Sequence, residues 1–106
     1  MTSIPSKSPM KTYVIMRRTG WNSPAELKEA AARSSQVGQQ EMSDRVRWIR
    51  SYVTDEGGGR VGTVCVYQAV DEEAIREHAR RAGLPCDAVV AVADTVVVNP
   101  DPVAVA

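Results

Sequence analysis

The chain has few of the side chains that usually carry out chemistry in a protein site. Its 106 residues include one histidine, His78, and two cysteines, Cys65 and Cys86. Two cysteines that form no CxxC pair are too few for a disulfide framework, so we expect reduced thiols and a cytoplasmic protein. Because the chain has so few alternatives, His78 is the first residue to consider for any site.

An excess of charge of either sign is also absent. Thirteen basic and thirteen acidic residues give a formal net charge of zero, whereas a nucleic-acid binder is expected to carry a basic excess or stripe. No stretch approaches the roughly 18 apolar residues of a membrane span, and the polar start lacks the apolar run of a signal peptide. We therefore expect one cytoplasmic domain that binds neither nucleic acid nor membranes.

Residue patterns predict six secondary-structure elements. Ser23-Pro24 opens one helix with a capping serine and a proline at its first position. Asp71 caps a second helix, which Gly83 ends. The predicted strands are 12–17, 46–53, 60–67 and 88–98, and the predicted helices are 24–41 and 72–82.

The order β-α-β-β-α-β predicts an α+β fold of the ferredoxin-like kind, a four-stranded antiparallel sheet with two helices on one face. We expect a flexible segment over residues 1–11, the ferredoxin-like domain over 12–98 and a tail over 99–106.

The two faces of this predicted sheet differ in what they offer a partner. The inner face of the first helix is small and partly polar, which suggests close approach to the sheet or a pocket beneath it. It consists of Leu27, Ala30, Ala31, Ser34 and Val37 or Gly38. The uncovered sheet face is expected to carry bulky groups such as Trp48 or Ile49, together with Tyr67 and valines of the last strand. Because an apolar uncovered face usually finds a partner, we expect a homodimer through it.

Three segments resemble a family of small bacterial domains. They are Val46-Arg47-Trp48-Ile49-Arg50-Ser51-Tyr52-Val53, Val64-Cys65-Val66-Tyr67-Gln68-Ala69, and Asp71 to Asp87, which closes in Ala-Gly-Leu-Pro. The family is usually described as nickel-binding proteins of ferredoxin-like fold, otherwise of unknown function. The similarity covers roughly Thr12 to Val92. It implies the fold, a dimer and a divalent transition metal such as nickel, and it implies no reaction.

Three residues are the candidate metal donors. His78 follows Ile75 at helical spacing and is expected to point toward the sheet or its rim. Cys65 lies on the preceding strand, and Glu77 offers a carboxylate beside His78. Imidazole, thiolate and carboxylate are all donors to such metals. The alternative is structural: His78 as a packed, hydrogen-bonded histidine and Cys65 as a small buried apolar residue.

The sequence therefore leaves three functions open. The first is a non-enzymatic dimer that binds a divalent transition metal, with His78, Cys65 and Glu77 as donors. The second is a binder or cofactor-free enzyme for a small organic molecule, by analogy with dimeric α/β-barrel proteins. The third is a structural or partner-binding domain. A cavity between helices and sheet would favour the second, and a filled core with a bonded His78 would favour the third.

Overall fold

The structure is a computed structural model that describes residues 9–100. Its elements follow the predicted order β-α-β-β-α-β, with one short π-helical turn after the first helix. They are β1 (Lys11–Trp21), α1 (Pro24–Gln36), the π-helical turn (Val37–Glu41), β2 (Val46–Gly57), β3 (Arg60–Ala69), α2 (Glu72–Ala82) and β4 (Ala88–Ala91).

The four strands form one antiparallel sheet in the order β2-β3-β1-β4. β1 and β3 are the central pair, with Ile15 opposite Cys65 and Tyr13 opposite Tyr67. Both helices cover the side of the sheet to which these four residues point, since α1 bonds Tyr67 through a serine and α2 places a histidine ring against it. The predicted ferredoxin-like α+β fold is confirmed.

The helix ends follow the predicted capping chemistry. The Ser23 hydroxyl accepts the backbone N–H of Glu26 at 3.2 Å, and the Asp71 carboxylate accepts that of Ala74 at 2.8 Å. Gly83 ends α2 in the left-handed conformation, with φ of 68°. The first helix is shorter than predicted: α1 stops at Gln36, and the chain continues to Glu41 as a π-helical turn.

One β-bulge changes which side chains of β2 face the helices. Trp48 pairs with Tyr67 but the next pair is Arg50 with Val66, so Ile49 is the extra residue. Strict alternation placed Trp48 and Arg50 on one side, and the bulge separates them. Tyr67, expected on the uncovered face, lies instead on the helix side and is buried, as its cross-strand pair Tyr13 also is.

The last strand is much shorter than the predicted 88–98. Pairing with β1 covers Ala88–Ala91 and closes with the Val92 N–H donating to the Thr12 carbonyl at 2.9 Å. β1 itself begins at Lys11, so the following valines find no further backbone partner there. A segment of high strand propensity does not form a strand unless a neighbouring strand is there to pair with it.

The predicted flexible segment 1–11 and the predicted tail 99–106 lie largely outside the described residues. Within residues 9–100, no helix is both long and apolar enough to cross a bilayer.

Candidate functional site

His78 is buried between the two helices and the sheet. It is 1% exposed, and its Nε2 atom lies 3.0 Å from the Ser34 carbonyl oxygen in α1. Because a carbonyl only accepts, Nε2 carries the proton and Nδ1 holds the lone pair in the neutral ring. Burial lowers the pKa of His78 below its usual range, the nearby Arg17 charge lowers it further, and the Ser34 bond opposes both. The imidazole is therefore neutral at pH 7.

Tyr67 connects His78 to the rest of the helix–sheet interior. Its ring centroid is 5.4 Å from that of His78, and its hydroxyl shares a 3.0 Å hydrogen bond with the Ser34 side chain. Burial raises the pKa of Tyr67 to about 12, against the lowering effects of the Ser34 bond and the Arg17 charge. On its other side, Trp48 is parallel to the phenol ring at a centroid distance of 6.0 Å.

Cys65 lies in a chain of side-chain hydrogen bonds that connects β2 to β3. The Trp48 indole N–H donates to Ser51 Oγ at 2.8 Å, and this hydroxyl donates to Cys65 Sγ at 3.0 Å. The thiol then donates to Thr63 Oγ1 at 3.3 Å. A thiol that donates is protonated, whereas a metal ligand must be a thiolate. Binding a metal at Cys65 would break this chain.

Glu77 is held by two guanidinium groups at the outer edge of α2. Its carboxylate accepts from Arg45 at 2.9 Å and pairs with Arg81 one helical turn further on. The hydrogen bond from Arg45 lowers the pKa of Glu77, and the Arg81 charge adds to that effect. A metal ion at Glu77 would have to replace two cations already in place.

The three candidate donors are not brought together in one chain. In the described part of the chain, no group of three or more histidine, cysteine, aspartate or glutamate side chains is placed to hold a metal ion. Glu77 and His78 are consecutive on a helix, so their side chains point in different directions. A nickel centre normally recruits several donors, and the residues of a single chain do not fit one.

An apolar cavity of about 200 Å³ lies between α1 and the sheet. Its roof is the small inner face of α1, where the sequence predicted either close approach or a pocket, and its floor is formed by Thr63, Cys65 and Tyr67 of β3. Ala30 and Ala31 are too short to fill the space above the floor. The pocket that the alanine-rich face suggested is thus present.

Arg17 lines this cavity and is the site residue that the sequence interpretation missed. It is 1% exposed, its Nε donates to the Pro85 carbonyl at 2.7 Å, and its Cζ lies 5.9 Å from the Tyr67 ring centroid. The remaining Nη2 is buried and has no hydrogen-bond partner. The signal was available, since alternation along β1 puts Arg17 on the same face as the apolar Tyr13 and Ile15.

One comparison with known proteins shows the family, and another shows the fold. A family model described as nickel responsive protein SCO4226-like matches residues 13–92. The crystal structure of SCO4226 from Streptomyces coelicolor A3(2) superposes with a TM-score of 0.63 at 19% identity, covering 80% of this chain and 99% of that one. At this identity the likeness shows the fold alone. A search of curated proteins gave no match.

Proposed function

The chain belongs to the SCO4226-like family of nickel responsive proteins, and from that premise we propose that it is a non-catalytic homodimer that binds a divalent transition metal such as nickel. The match to the family over 13–92 is the observation that carries the proposal. The proposed donors are His78, Cys65 and Glu77, as the sequence suggested. A cytoplasmic location and the absence of nucleic-acid binding stay predictions.

These three residues cannot complete the proposed metal site within one chain. His78 offers only Nδ1, because Nε2 is committed to the Ser34 carbonyl. Cys65 and Glu77 each have hydrogen-bonded partners that a metal would have to displace. A second copy on the uncovered face would lie across the sheet from His78 and Cys65, which are buried on the helix side. Dimerisation and metal binding are therefore separate parts of the proposal, each with its own test.

The uncovered face of the sheet supports the proposed dimer. Val14 pairs with Val66 across the centre of this face, and Tyr52 at 54% and Val90 at 55% exposure extend it on both sides. The chain after β4 adds exposed apolar surface beside the same face, where Val92 and residues 94–99 border a groove with Val14 and Tyr52. Val96, Val97 and Val98 are at least 75% exposed. Apolar surface of this kind is typical of an interface.

Sedimentation equilibrium of paired variants tests the dimer. Tyr52→Arg introduces a charge on the uncovered face, and Val53→Arg introduces the same charge at the next residue, which is similarly exposed at 59%. Val53 pairs with Thr63 and so points to the opposite side. We expect a dimeric wild type, a monomeric Tyr52→Arg variant and a dimeric Val53→Arg variant. A wild type that remains monomeric with and without nickel would overturn the proposal.

Calorimetric titration of nickel tests the metal. His78→Gln keeps an N–H donor for the Ser34 carbonyl and removes the imidazole lone pair, so it separates metal binding from packing. We expect His78→Gln and Cys65→Ser to weaken nickel binding at least about tenfold, since even outer-shell partners of metal sites matter that much. Cys86→Ser, at a half-buried thiol outside the proposed donors, is the matched control. Absence of binding to the wild type, or wild-type affinity in His78→Gln, contradicts the assignment.

The cavity favours a second function from another class. An apolar space of about 200 Å³ beside buried polar groups is the feature expected of a protein that binds a small organic molecule. Among the described residues that line the cavity, no nucleophilic side chain is paired with a general base. The supported activity is therefore binding and not turnover.

A further inference from the structure

We propose that the cavity between α1 and the sheet binds a small apolar monocarboxylate, an aromatic or branched aliphatic acid, whose carboxylate pairs with Arg17. This site is separate from the proposed metal donors except at Cys65, which forms part of its floor. Binding of this ligand does not require nickel, so it is tested in the presence of EDTA.

Arg17 supplies the charge that this ligand would balance. An arginine is always protonated, and burying its charge without a partner is unfavourable. Within residues 9–100, no carboxylate forms an ion pair with Arg17, and its contacts are the Pro85 carbonyl and the Tyr67 ring face. One guanidinium nitrogen remains buried and unbonded. A carboxylate is the group whose two oxygens match the guanidinium geometry.

The polar neighbours of Arg17 are already satisfied by one another. Ser34 shares its hydroxyl hydrogen bond with Tyr67, and Ser51 both accepts from Trp48 and donates to Cys65. These groups therefore do not need a ligand for their own hydrogen bonding. The unpaired group at the cavity is the cation, and it selects for a negative charge.

The rest of the cavity selects for an apolar body. Leu27, Ala30, Ala31 and Leu84 contribute aliphatic side chains, and Trp21 and Trp48 contribute aromatic ones. A dry apolar cavity of about 150 Å³ is known to hold one benzene molecule, so about 200 Å³ accommodates a single ring with one small substituent. Inorganic phosphate has the charge but no apolar body, and it is the natural competitor with which to test the assignment.

The experiment is an NMR titration of the ¹⁵N-labelled protein with benzoate, benzamide and inorganic phosphate in EDTA. Benzoate and benzamide have nearly the same shape and differ in charge. We expect benzoate to bind at least about tenfold more tightly than benzamide, as a charge-assisted bond requires. Shifts should include the Trp48 indole N–H, which starts the hydrogen-bond chain to Cys65. Phosphate should cause none of these shifts.

Two substitutions localise the charge. Arg17→Met keeps most of the side-chain volume and removes the guanidinium, so it should abolish the preference for benzoate over benzamide. Arg18→Met is the matched control, because Arg18 is the next residue, is exposed and pairs with Glu56 instead. Ala31→Leu narrows the cavity from the helix side and should weaken both probes.

Several results would overturn the proposal, and three of them need no variant. Equal affinity of the wild type for benzoate and benzamide, or no benzoate shifts at millimolar concentration, would remove the charge requirement. An unchanged preference in Arg17→Met, or an equal loss in Arg18→Met, would place the charge elsewhere. Phosphate shifts matching those of benzoate would show that the apolar lining has no role. If Arg17→Met fails to fold, Arg17→Lys should retain the preference for benzoate.

Discussion

The imidazole of His78 donates from Nε2 to the backbone carbonyl of Ser34 over 3.0 Å and so joins the second helix to the first. Ser34 lies near the end of α1, just before the chain changes to the π-helical turn, where the Met42 N–H bonds the Val37 carbonyl five residues back. Gly38 lies over the ring: a Cβ there would be 3.6 Å from Nε2. The lone histidine thus has a structural partner whatever else it binds.

Stability should fall in mild acid because of His78. Its pKa is lowered in the folded protein by burial, so as the pH drops below about 6.5 the unfolded chain takes up the proton first. The free energy of unfolding then decreases, with a slope of at most about 1.4 kcal/mol per pH unit for one proton, until the folded-state pKa is reached. Urea unfolding of the wild type and His78→Gln between pH 5 and 7 measures this. An identical slope in the variant would show that other groups cause it.

Arg17→Met should raise the free energy of unfolding. Replacing even a buried ion pair by apolar side chains of similar volume is often neutral or stabilising by about 1–4 kcal/mol, and among the described residues Arg17 has no carboxylate to offset the cost of burying its charge. The variant loses the Pro85 hydrogen bond, which opposes the gain. Arg18→Met removes an exposed guanidinium from its pair with the covered Glu56 carboxylate, which keeps the hydrogen bond from the Thr19 N–H, and should change stability by about 1 kcal/mol or less. Strong destabilisation by Arg17→Met in urea unfolding would mean that the guanidinium holds the fold together.

Gly62→Ala should destabilise the protein. An added Cβ would lie 2.5 Å from the Arg17 carbonyl oxygen and 2.9 Å from the Thr19 nitrogen, where β1 changes register. Backbone cannot move away cheaply there, so we expect a loss of about 1–3 kcal/mol. Gly38→Ala is the control, since its Cβ meets nothing closer than the 3.6 Å contact with His78. Equal thermal stability of Gly62→Ala and wild type would show that the backbones of β1 and β3 can move apart at little cost in free energy.

Alkaline unfolding should depend on Tyr67. Its pKa of about 12 in the folded protein lies above the value of 10.0 expected of the free side chain. Stability linked to the neutral phenol is therefore fully present below pH 10 and is lost as the pH rises toward 12. Tyr67→Phe removes this dependence while also giving up the Ser34 hydrogen bond, which costs about 1 kcal/mol at neutral pH. Denaturant unfolding at pH 7 and pH 10.5 separates the two effects.

The element order and the helix ends could be predicted because local chemistry determines them. Ser23 and Asp71 cap by hydrogen bonds to residues three positions on, so their role is visible in a short segment. The end of β4 could not be predicted, because it depends on where its partner strand β1 begins. Propensity is a property of one segment, whereas a ladder requires two.

The bulge at Ile49 was hidden for a related reason. Both faces of the β2 sequence mix apolar and polar residues, so alternation gave no warning when one extra residue shifted the register. Tyr67 was placed on the uncovered face for lack of a contact that would have fixed it to Ser34. Arg17 could have been found, because an arginine that alternates with Tyr13 and Ile15 is an exception worth noting. That its Nη2 atom lacks a hydrogen-bond partner could not be predicted from the sequence.

The placement of β1 at the centre of the sheet sets the order in which the chain can fold. β2 and β3 are joined by a short glycine turn and can pair as soon as they exist. β1 has only distant partners, β3 on one side and β4 on the other, and each requires closure of a long loop before any contact forms. We therefore expect β1, the first of the four described strands along the chain, to be among the last to gain its neighbours, and the cavity around Arg17 to form only once β1 has paired.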